Sequence, residues 1–184
     1  MALRGDLPAG MYQAGELQNA RELVRYIRLM WGEEAKILVA AYPEVHPRSK
    51  TPELDLRYFK EKVDAGANEA ITQYFYNVDA YLRFRDEVVR LGVDIPIVAG
   101  IMPITNYRQL AKFSDGCGAE IPRWIRLRLQ ALQDDLGALF DFGADVVAKM
   151  CERLIEEEVA GLHFYSMNRA DAMLAVAQRL RWIK

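Results

Sequence analysis

The stretch KILVAAY, at Lys36–Tyr42, is a short apolar run that stops at Pro43, which is typical of a buried strand. Three further runs of this kind follow: AITQYFY at Ala70–Tyr76, IPIVAGI at Ile95–Ile101 and GLHFY at Gly161–Tyr165. They are rich in the β-branched and aromatic residues that strands favour. The segment Ala2-Leu3-Arg4 is predicted to be the end of another strand. The chain therefore holds five predicted strands.

Amphipathic helices are predicted between these strands, from apolar residues spaced three or four apart. Such residues are Leu17, Ala20, Val24, Ile27 and Trp31, then Leu56, Phe59 and Val63, then Tyr81, Phe84, Val88 and Leu91, then Leu139, Val146, Met150 and Leu154. Gly66 and Gly92 follow two of these helices, where a left-handed cap favours glycine. Alternating strands and helices with short loops predict an α/β fold with a parallel sheet, as one domain over residues 1–184.

Two architectures are compatible with this pattern. An open doubly wound sheet of five strands suits 184 residues. A (β/α)8 TIM barrel has eight strands and needs about 250 residues. Periodicity alone slightly favours the open sheet.

Composition excludes several classes of protein. The 52% hydrophobic and 27% charged residues are ordinary for a globular domain, and the net charge of -2 predicts no nucleic-acid or membrane partner. Cys117 and Cys151 lack metal-ligand spacing, so reduced thiols and a cytoplasmic location are expected. With only two histidines, no transition-metal site is predicted, and His163, inside an apolar strand, is expected to be a core residue.

Distinctive polar residues gather at the predicted carboxyl ends of the strands. They are Arg4, Gly5 and Asp6, the segment YPEVHP at Tyr42–Pro47, Gln73 inside its strand, MPITN at Met102–Asn106, and Met167, Asn168 and Arg169. Both architectures place their active sites at that edge of the sheet. The pattern therefore predicts one site to which all five strands contribute.

Each of these residues also has a structural alternative. Asp6 could turn the chain, and His46 could simply stiffen a proline-rich loop. Arg169 could pair with a carboxylate of the protein or with an anionic ligand. Lys62, on a helix, is by default a solvated charge. Gln73 is the most suggestive, because an amide in an apolar strand needs hydrogen-bond partners that a ligand could supply.

Six motifs in order resemble the methylenetetrahydrofolate reductase family: LRGDLP, VAAYPEVHP, KVDAGANEAITQYFY, GIMPITNYRQL, EIPRWI and GLHFYSMNRA. The resemblance runs from Leu3 to about Leu180. It implies an FAD-dependent (β/α)8 barrel that uses NADH or NADPH to reduce 5,10-methylenetetrahydrofolate to 5-methyltetrahydrofolate. It also implies a partial barrel here, from the end of the fourth strand to the eighth, and so reverses the preference for an open sheet.

The resemblance implies roles for individual residues. Expected flavin contacts are Arg4, Gly5, Asp6, Tyr42, His46, Asp55 and Lys62, with Tyr12 and Ala14 as further candidates. Asp6 is the expected catalytic residue, because its charge near the flavin would disfavour the anionic reduced form. Lys62 would pair with the pyrophosphate. Expected folate contacts are Gln73, Gln109 and Arg169, and Gln73 would also contact the nicotinamide.

The family's first three strands, one of which bears its catalytic glutamate, have no counterpart here. A second hypothesis follows, a non-catalytic truncated or split barrel that needs a partner. A third is another FAD barrel, such as a proline dehydrogenase-like enzyme, against which GIMPITN and HFYSMNRA argue. The choice between NADH and NADPH and the oligomeric state, a homo-oligomer included, stay open.

Overall fold

The computed structural model describes residues 1–3 and 15–183. Its strands are β1 (Leu38–Ala41), β2 (Glu69–Thr72), β3 (Ile97–Ile101) and β4 (Leu162–Phe164). They form one sheet in the order β1-β2-β3-β4, and every pair is parallel. Ala2 adds a parallel bridge to Val39 on the free side of β1, in the place predicted for the first strand. The α/β class and the parallel sheet are confirmed.

Seven α-helices connect or flank the strands of the described residues. They are α1 (Ala20–Trp31), α2 (Pro52–Asp64), α3 (Val78–Arg90), α4 (Tyr107–Cys117), α5 (Arg123–Ala131), α6 (Leu136–Glu156) and α7 (Ala170–Arg179), with a 3-10 turn at Gly32–Glu34. The sequence pattern predicted α1, α2, α3 and α6, and it missed α4, α5 and α7. Within this part of the chain, no helix is long and apolar enough to cross a lipid bilayer.

Local sequence explains where the helices begin and end. The side chains of Thr51, Asn77 and Asn106 accept hydrogen bonds from the first turns of α2, α3 and α4, which satisfies amides that have no partner within the helix. After α2 and α3, Gly66 and Gly92 have φ values of 112° and 78°, as predicted. The helices α2, α3 and α4 follow β1, β2 and β3 in the chain and therefore begin near the carboxyl edge of the sheet.

The strand order is sequential. A doubly wound sheet reverses its order at a switch point, and the four described strands show no such reversal. The open doubly wound alternative therefore finds no support in the topology.

The strands are shorter than predicted, and the difference matters most at β2. Gln73 lies just beyond this strand, not inside it. The Gln73 amide still donates to the carbonyl of Ala41 in β1, 2.8 Å away. On the side that faces β3, however, the backbone no longer pairs with backbone. There, the Gly100 amide donates to the Thr72 hydroxyl at 2.8 Å, and Tyr165 Oη donates to the Thr72 carbonyl at 2.9 Å. Side chains thus replace the regular ladder, and β2 ends at Thr72.

Gly100 is required at this point by close approach. A Cβ built there would lie 2.1 Å from the Thr72 carbonyl oxygen. His163, expected in the core, is exposed on β4 and rests against Tyr165 with ring centroids 4.9 Å apart. That expectation was wrong because β4 is a short strand whose residues are at most half-buried. The core instead lies around β1–β3 and α6, with Phe75, Tyr81, Ile101, Leu139 and Leu154 among its most buried side chains.

Candidate active site at the carboxyl edge of the sheet

The loop that follows β1 brings His46 into contact with Tyr42 and with Asp55, which lies at the start of α2. The two rings meet edge to face, with centroids 4.5 Å apart. The His46 amide donates to Asp55 Oδ2 at 3.1 Å, and Ser49 Oγ donates to Asp55 Oδ1 at 2.6 Å. Asp55 therefore orders the loop, and both of its oxygens are engaged by the protein. A polar contact from Asp55 to a ligand would have to share those oxygens.

His46 has the properties of a neutral ring. Burial lowers its pKa, the charge of Lys62 lowers it further, and Asp55 opposes both. Its Nδ1 accepts a hydrogen bond from the Arg48 amide at 3.0 Å, which fixes the ring and leaves the proton on Nε2. His46 is thus an oriented donor at this edge of the sheet.

Lys62 is the least expected member of this group. Its Nζ donates to the carbonyl of Ala40 in β1 at 2.5 Å and lies 5.5 Å from the ring centroid of Phe59. Burial of the ammonium group lowers its pKa to about 8, although Asp55 favours the charged form. Among the described residues, no carboxylate lies within 4 Å of Nζ. The default expectation of a solvated surface charge was wrong, and an anion beside Nζ would stabilise its charged form.

Gln73 borders the same group from the end of β2. It lines a narrow hollow together with Tyr42, Glu44, Tyr74 and Cys117. Its Oε1 accepts a hydrogen bond from the Tyr74 amide at 3.0 Å. Within the part of the chain that the structure describes, its Nε2 has no acceptor. The amide group is thus anchored through its oxygen and offers its nitrogen to a ligand.

Gln109 and Arg169 lie together in a second place, an open cleft of about 740 Å³. The cleft is lined by Thr105, Asn106, Gln109, Leu136, Gly137, Phe140, Arg169, Asp171, Leu174, Ala175 and Gln178. It is formed by the beginnings of α4 and α6 and by one side of α7, from Asp171 to Gln178. The two residues just before Arg169, Met167 and Asn168, both have positive φ, which is strained backbone for Met167.

Arg169 forms the ion pair that was one of its two predicted roles. Its Nε and Nη2 donate to the two carboxylate oxygens of Asp171 at 2.9 and 2.6 Å. The pairing lowers the pKa of Asp171 to about 2. Asp171 thus occupies the Nε–Nη2 edge of the guanidinium, one of the two edges that can bind a carboxylate in two-point fashion.

Arg4, Gly5 and Asp6, together with Tyr12 and Ala14, lie outside the described residues. Their expected roles stay predictions. The structure brings Tyr42, His46, Asp55 and Lys62 together, places Gln73 next to Tyr42, and groups Gln109 with Arg169. In the described ranges, no cluster of His, Cys, Asp or Glu could hold a metal ion.

Glu44 belongs to this edge, and sequence reasoning missed it. Its Oε2 accepts a hydrogen bond from the Glu120 amide at 2.8 Å, and burial raises its pKa to about 7. The only signal in the sequence was its place between Pro43 and His46, in a loop already singled out. Its contact with Glu120, 76 residues away, could not be read from the chain.

The fold and the site define an α/β protein with its ligand-binding groups at the carboxyl edge of a parallel sheet. A family model described as methylenetetrahydrofolate reductase matches residues 1–181. The chain therefore belongs to the methylenetetrahydrofolate reductase family, as the six motifs indicated. The third hypothesis, a proline dehydrogenase-like barrel, loses its support.

Individual relatives agree with this assignment. The chain is 42% identical to the 5,10-methylenetetrahydrofolate reductases of Salmonella typhimurium and Escherichia coli, over 98% of its own length and 60% of theirs. It is 38% identical to methylenetetrahydrofolate reductase 2 of Saccharomyces cerevisiae, of which it covers 31%. The chain thus spans about three-fifths of the length of these bacterial relatives.

A solved structure shares the fold at low sequence identity. It is an uncharacterized protein from Clostridium thermocellum, described as binding two copies of 5-methyl-5,6,7,8-tetrahydrofolic acid. The superposition has a TM-score of 0.61 at 17% identity and covers 96% of this chain and 65% of that protein. This likeness supports the fold.

Proposed function

We propose that this chain forms the carboxyl-terminal part of a (β/α)8 barrel, from the end of the fourth strand to the eighth. The barrel would reduce 5,10-methylenetetrahydrofolate to 5-methyltetrahydrofolate with FAD and NADH or NADPH. The observation that supports this best is Lys62, a half-buried cation beside the loop that holds Tyr42 and His46. Family membership and the sequential strand order support the barrel.

The residues present fit FAD. A pyrophosphate next to Lys62 would supply the anion that its ammonium group lacks among the described residues, and His46 offers a fixed donor nearby. Tyr42 provides an aromatic surface at the same place. Arg4, Gly5 and Asp6 would complete the set from the preceding loop.

When bound, FAD would supply the hydride chemistry between the nicotinamide and the folate. The chain's own task would be to position the substrates. Gln73 would donate from Nε2 to whichever substrate occupies the site, with its oxygen held by the Tyr74 amide. Gln109 and Arg169 would bind the folate in the cleft, where Arg169 suits the glutamyl carboxylate. Asp6 would tune the flavin by its negative charge.

An absorbance spectrum of the purified chain tests the proposal directly. We expect flavin bound in equal proportion to protein and oxidation of NADH or NADPH on addition. A colourless protein that does not take up added FAD would instead support the second hypothesis, a non-catalytic part of a barrel. The second hypothesis is motivated by the length of the chain, which spans about three-fifths of its bacterial relatives.

Substitution of Gln73 by leucine tests the shared-substrate role. In an active protein, we expect Gln73→Leu to slow both NADH oxidation and folate reduction by about tenfold or more, because a buried ligand group loses its partner. Gln133→Leu, an equivalent change at an exposed position, is the matched control. Unchanged rates of both half-reactions would contradict the role of Gln73.

We further propose that the protein acts in the cytoplasm on free folate, with no nucleic-acid or membrane partner. A homo-oligomer stays compatible with this function.

A further inference from the structure

Two loops meet at the carboxyl edge of the sheet, beside the proposed flavin site. One is the Tyr42–Pro47 loop, and the other is the connection Gly118–Glu120 that follows α4. The Glu120 amide donates to Glu44 Oε2 at 2.8 Å. At Gly118, a Cβ would lie 3.1 Å from Pro47 Cγ and 3.2 Å from the Val45 carbonyl oxygen. The two loops are therefore in direct contact through a hydrogen bond and through close packing.

The Gly118–Glu120 connection is itself firmly held. Gly118 caps α4 in the left-handed conformation, with φ of 76°. One residue earlier, the Cys117 thiol donates to Tyr74 Oη at 3.4 Å, and Tyr74 Oη lies 3.1 Å from Ser114 Oγ. These contacts tie the end of α4 to the segment after β2. The Tyr42–Pro47 loop thus rests on a part of the fold that is fixed independently.

The Glu44 carboxyl group is unusual in this contact. Its Oε1 is buried and has no hydrogen-bond partner among the described residues. Burial raises its pKa to about 7, and the charge of Glu120 acts in the same direction. The Glu120 amide and Arg83, on α3, act against this rise. The other titratable side chains of the same hollow are Tyr74, whose pKa is raised by burial, and Cys117.

We propose that Glu44 is a positioning residue that holds the Tyr42–Pro47 loop against the end of α4. It would thereby couple the loop of the flavin site to the helix that bears Gln109. The flavin part of this inference rests on the proposed function, whereas the loop contact itself does not.

The sign of the pH dependence follows from the linkage of protonation to loop contact. With the loops apart, Glu44 would have its ordinary pKa near 4.5, and in contact it has a pKa of about 7. Between these values the joined state binds more protons. The contact is therefore strongest below about pH 4.5, weakens as the pH rises to about 7, and stays level above that.

Hydrogen exchange of the Glu120 amide measures the contact directly. The protection factor, corrected for intrinsic exchange, is compared at pH 5.5 and 7.5 in four forms of the full chain: wild type, Glu44→Ala, Glu44→Gln and the exposed control Glu156→Gln. We expect protection in the wild type and in the control to fall with rising pH. Glu44→Gln keeps an acceptor without a titrating group, so its protection should not change with pH. Glu44→Ala should lose protection at both values by roughly three- to tenfold.

The affinity for added FAD, measured on the same proteins, separates this inference from the proposed function. We expect Glu44→Ala to bind FAD several-fold more weakly and Glu44→Gln to bind it as the wild type does at pH 5.5. Wild-type protection of Glu120 in Glu44→Ala would overturn the inference, even if FAD binds. If Glu44→Ala does not fold, a Glu44→Gln variant that keeps the wild-type pH dependence would overturn it equally. If no form binds FAD, the proposed function fails while the exchange data still decide the loop contact.

Discussion

A lysine whose ammonium group is buried next to a backbone carbonyl is costly to keep charged. In this protein Lys62 is such a residue, with a pKa lowered to about 8 and Ala40 as its hydrogen-bond acceptor. Charge at this position destabilises the fold without ligand and favours binding of an anion. Stability and function therefore make opposite demands on the same side chain.

Lys62→Met tests this conflict. The folded pKa lies below the ordinary 10.5, so the charged form destabilises the fold below about pH 8, and the penalty is relieved as the pH rises towards 10.5. We therefore expect the wild type to gain thermal stability relative to Lys62→Met between pH 7.5 and 9.5. At pH 7 the same variant should bind FAD more weakly. A Tm difference that does not change with pH would contradict the assignment, and Lys60→Met, in the same helix at a lysine that pairs with Asp64, is the control.

At Arg169, the question is which carboxylate the guanidinium binds. Asp171 occupies the Nε and Nη2 donors on one edge of the guanidinium, so it competes there with any ligand carboxylate in the cleft. We expect Asp171→Asn to tighten binding of 5-methyltetrahydrofolate, by no more than about fivefold, since exposed ion pairs are weak. The matched control is Asp64→Asn, which removes the same charge from the exposed Lys60–Asp64 pair at the end of α2, on a different helix. Weaker binding by Asp171→Asn would show that Asp171 instead holds Arg169 in place for the ligand.

Among the helices, α6 sets the position of the segment that leads into α4. Gly143 lies against Ile104, and a Cβ at Gly143 would come within 2.3 Å of the Ile104 carbonyl oxygen. Two residues after Ile104, Asn106 caps α4 and lines the cleft. The packing of α6 and the geometry of the cleft are therefore linked through one close contact.

Gly143→Ala is expected to destabilise the protein by roughly 1–3 kcal/mol, because the backbone at Ile104 must move. The same shift should weaken folate binding in the cleft. Gly137→Ala, in the same helix, meets nothing closer than 3.6 Å and should be neutral or stabilising by up to about 1 kcal/mol. Denaturant unfolding of both variants checks this, and equal stabilities would contradict it.

The strands and the longer helices could be predicted because periodicity reports burial directly. The helices α4, α5 and α7 could not, since they have only 11, 9 and 10 residues and so give fewer turns in which a periodic pattern can be recognised. The end of β2 was also missed, because the Thr72 hydroxyl replaces a backbone partner and this replacement is not visible in the sequence pattern.

For the candidate site, the family motifs predicted the group formed by Tyr42, His46, Asp55 and Lys62. They could not show that Lys62 is half-buried against Ala40 or that Glu44 accepts a hydrogen bond from Glu120, because both depend on contacts across the fold.

At the scale of the whole molecule, the strands follow one another in the sheet in chain order, and the polar groups of the candidate site lie at its carboxyl edge. Within the described residues, β4 pairs with β3 alone. An exposed edge strand favours pairing with another strand. In the proposed barrel, segments equivalent to the family's first three strands would provide that partner and close the sheet.

Thr72 joins three strands through side chains, and this has a consequence for the order of folding. Its hydroxyl binds Gly100, 28 residues later, and its carbonyl binds Tyr165, 93 residues later. The first bond cannot form until β3 has docked and the second cannot form until β4 has docked, and contacts between residues far apart in the chain are slow to form. We expect Thr72→Val and Tyr165→Phe to speed unfolding and leave the refolding rate nearly unchanged, with φ-values near zero in stopped-flow kinetics. The site would then be the last part of the sheet to form, and a nascent chain would acquire its ligand affinity only at the end of folding.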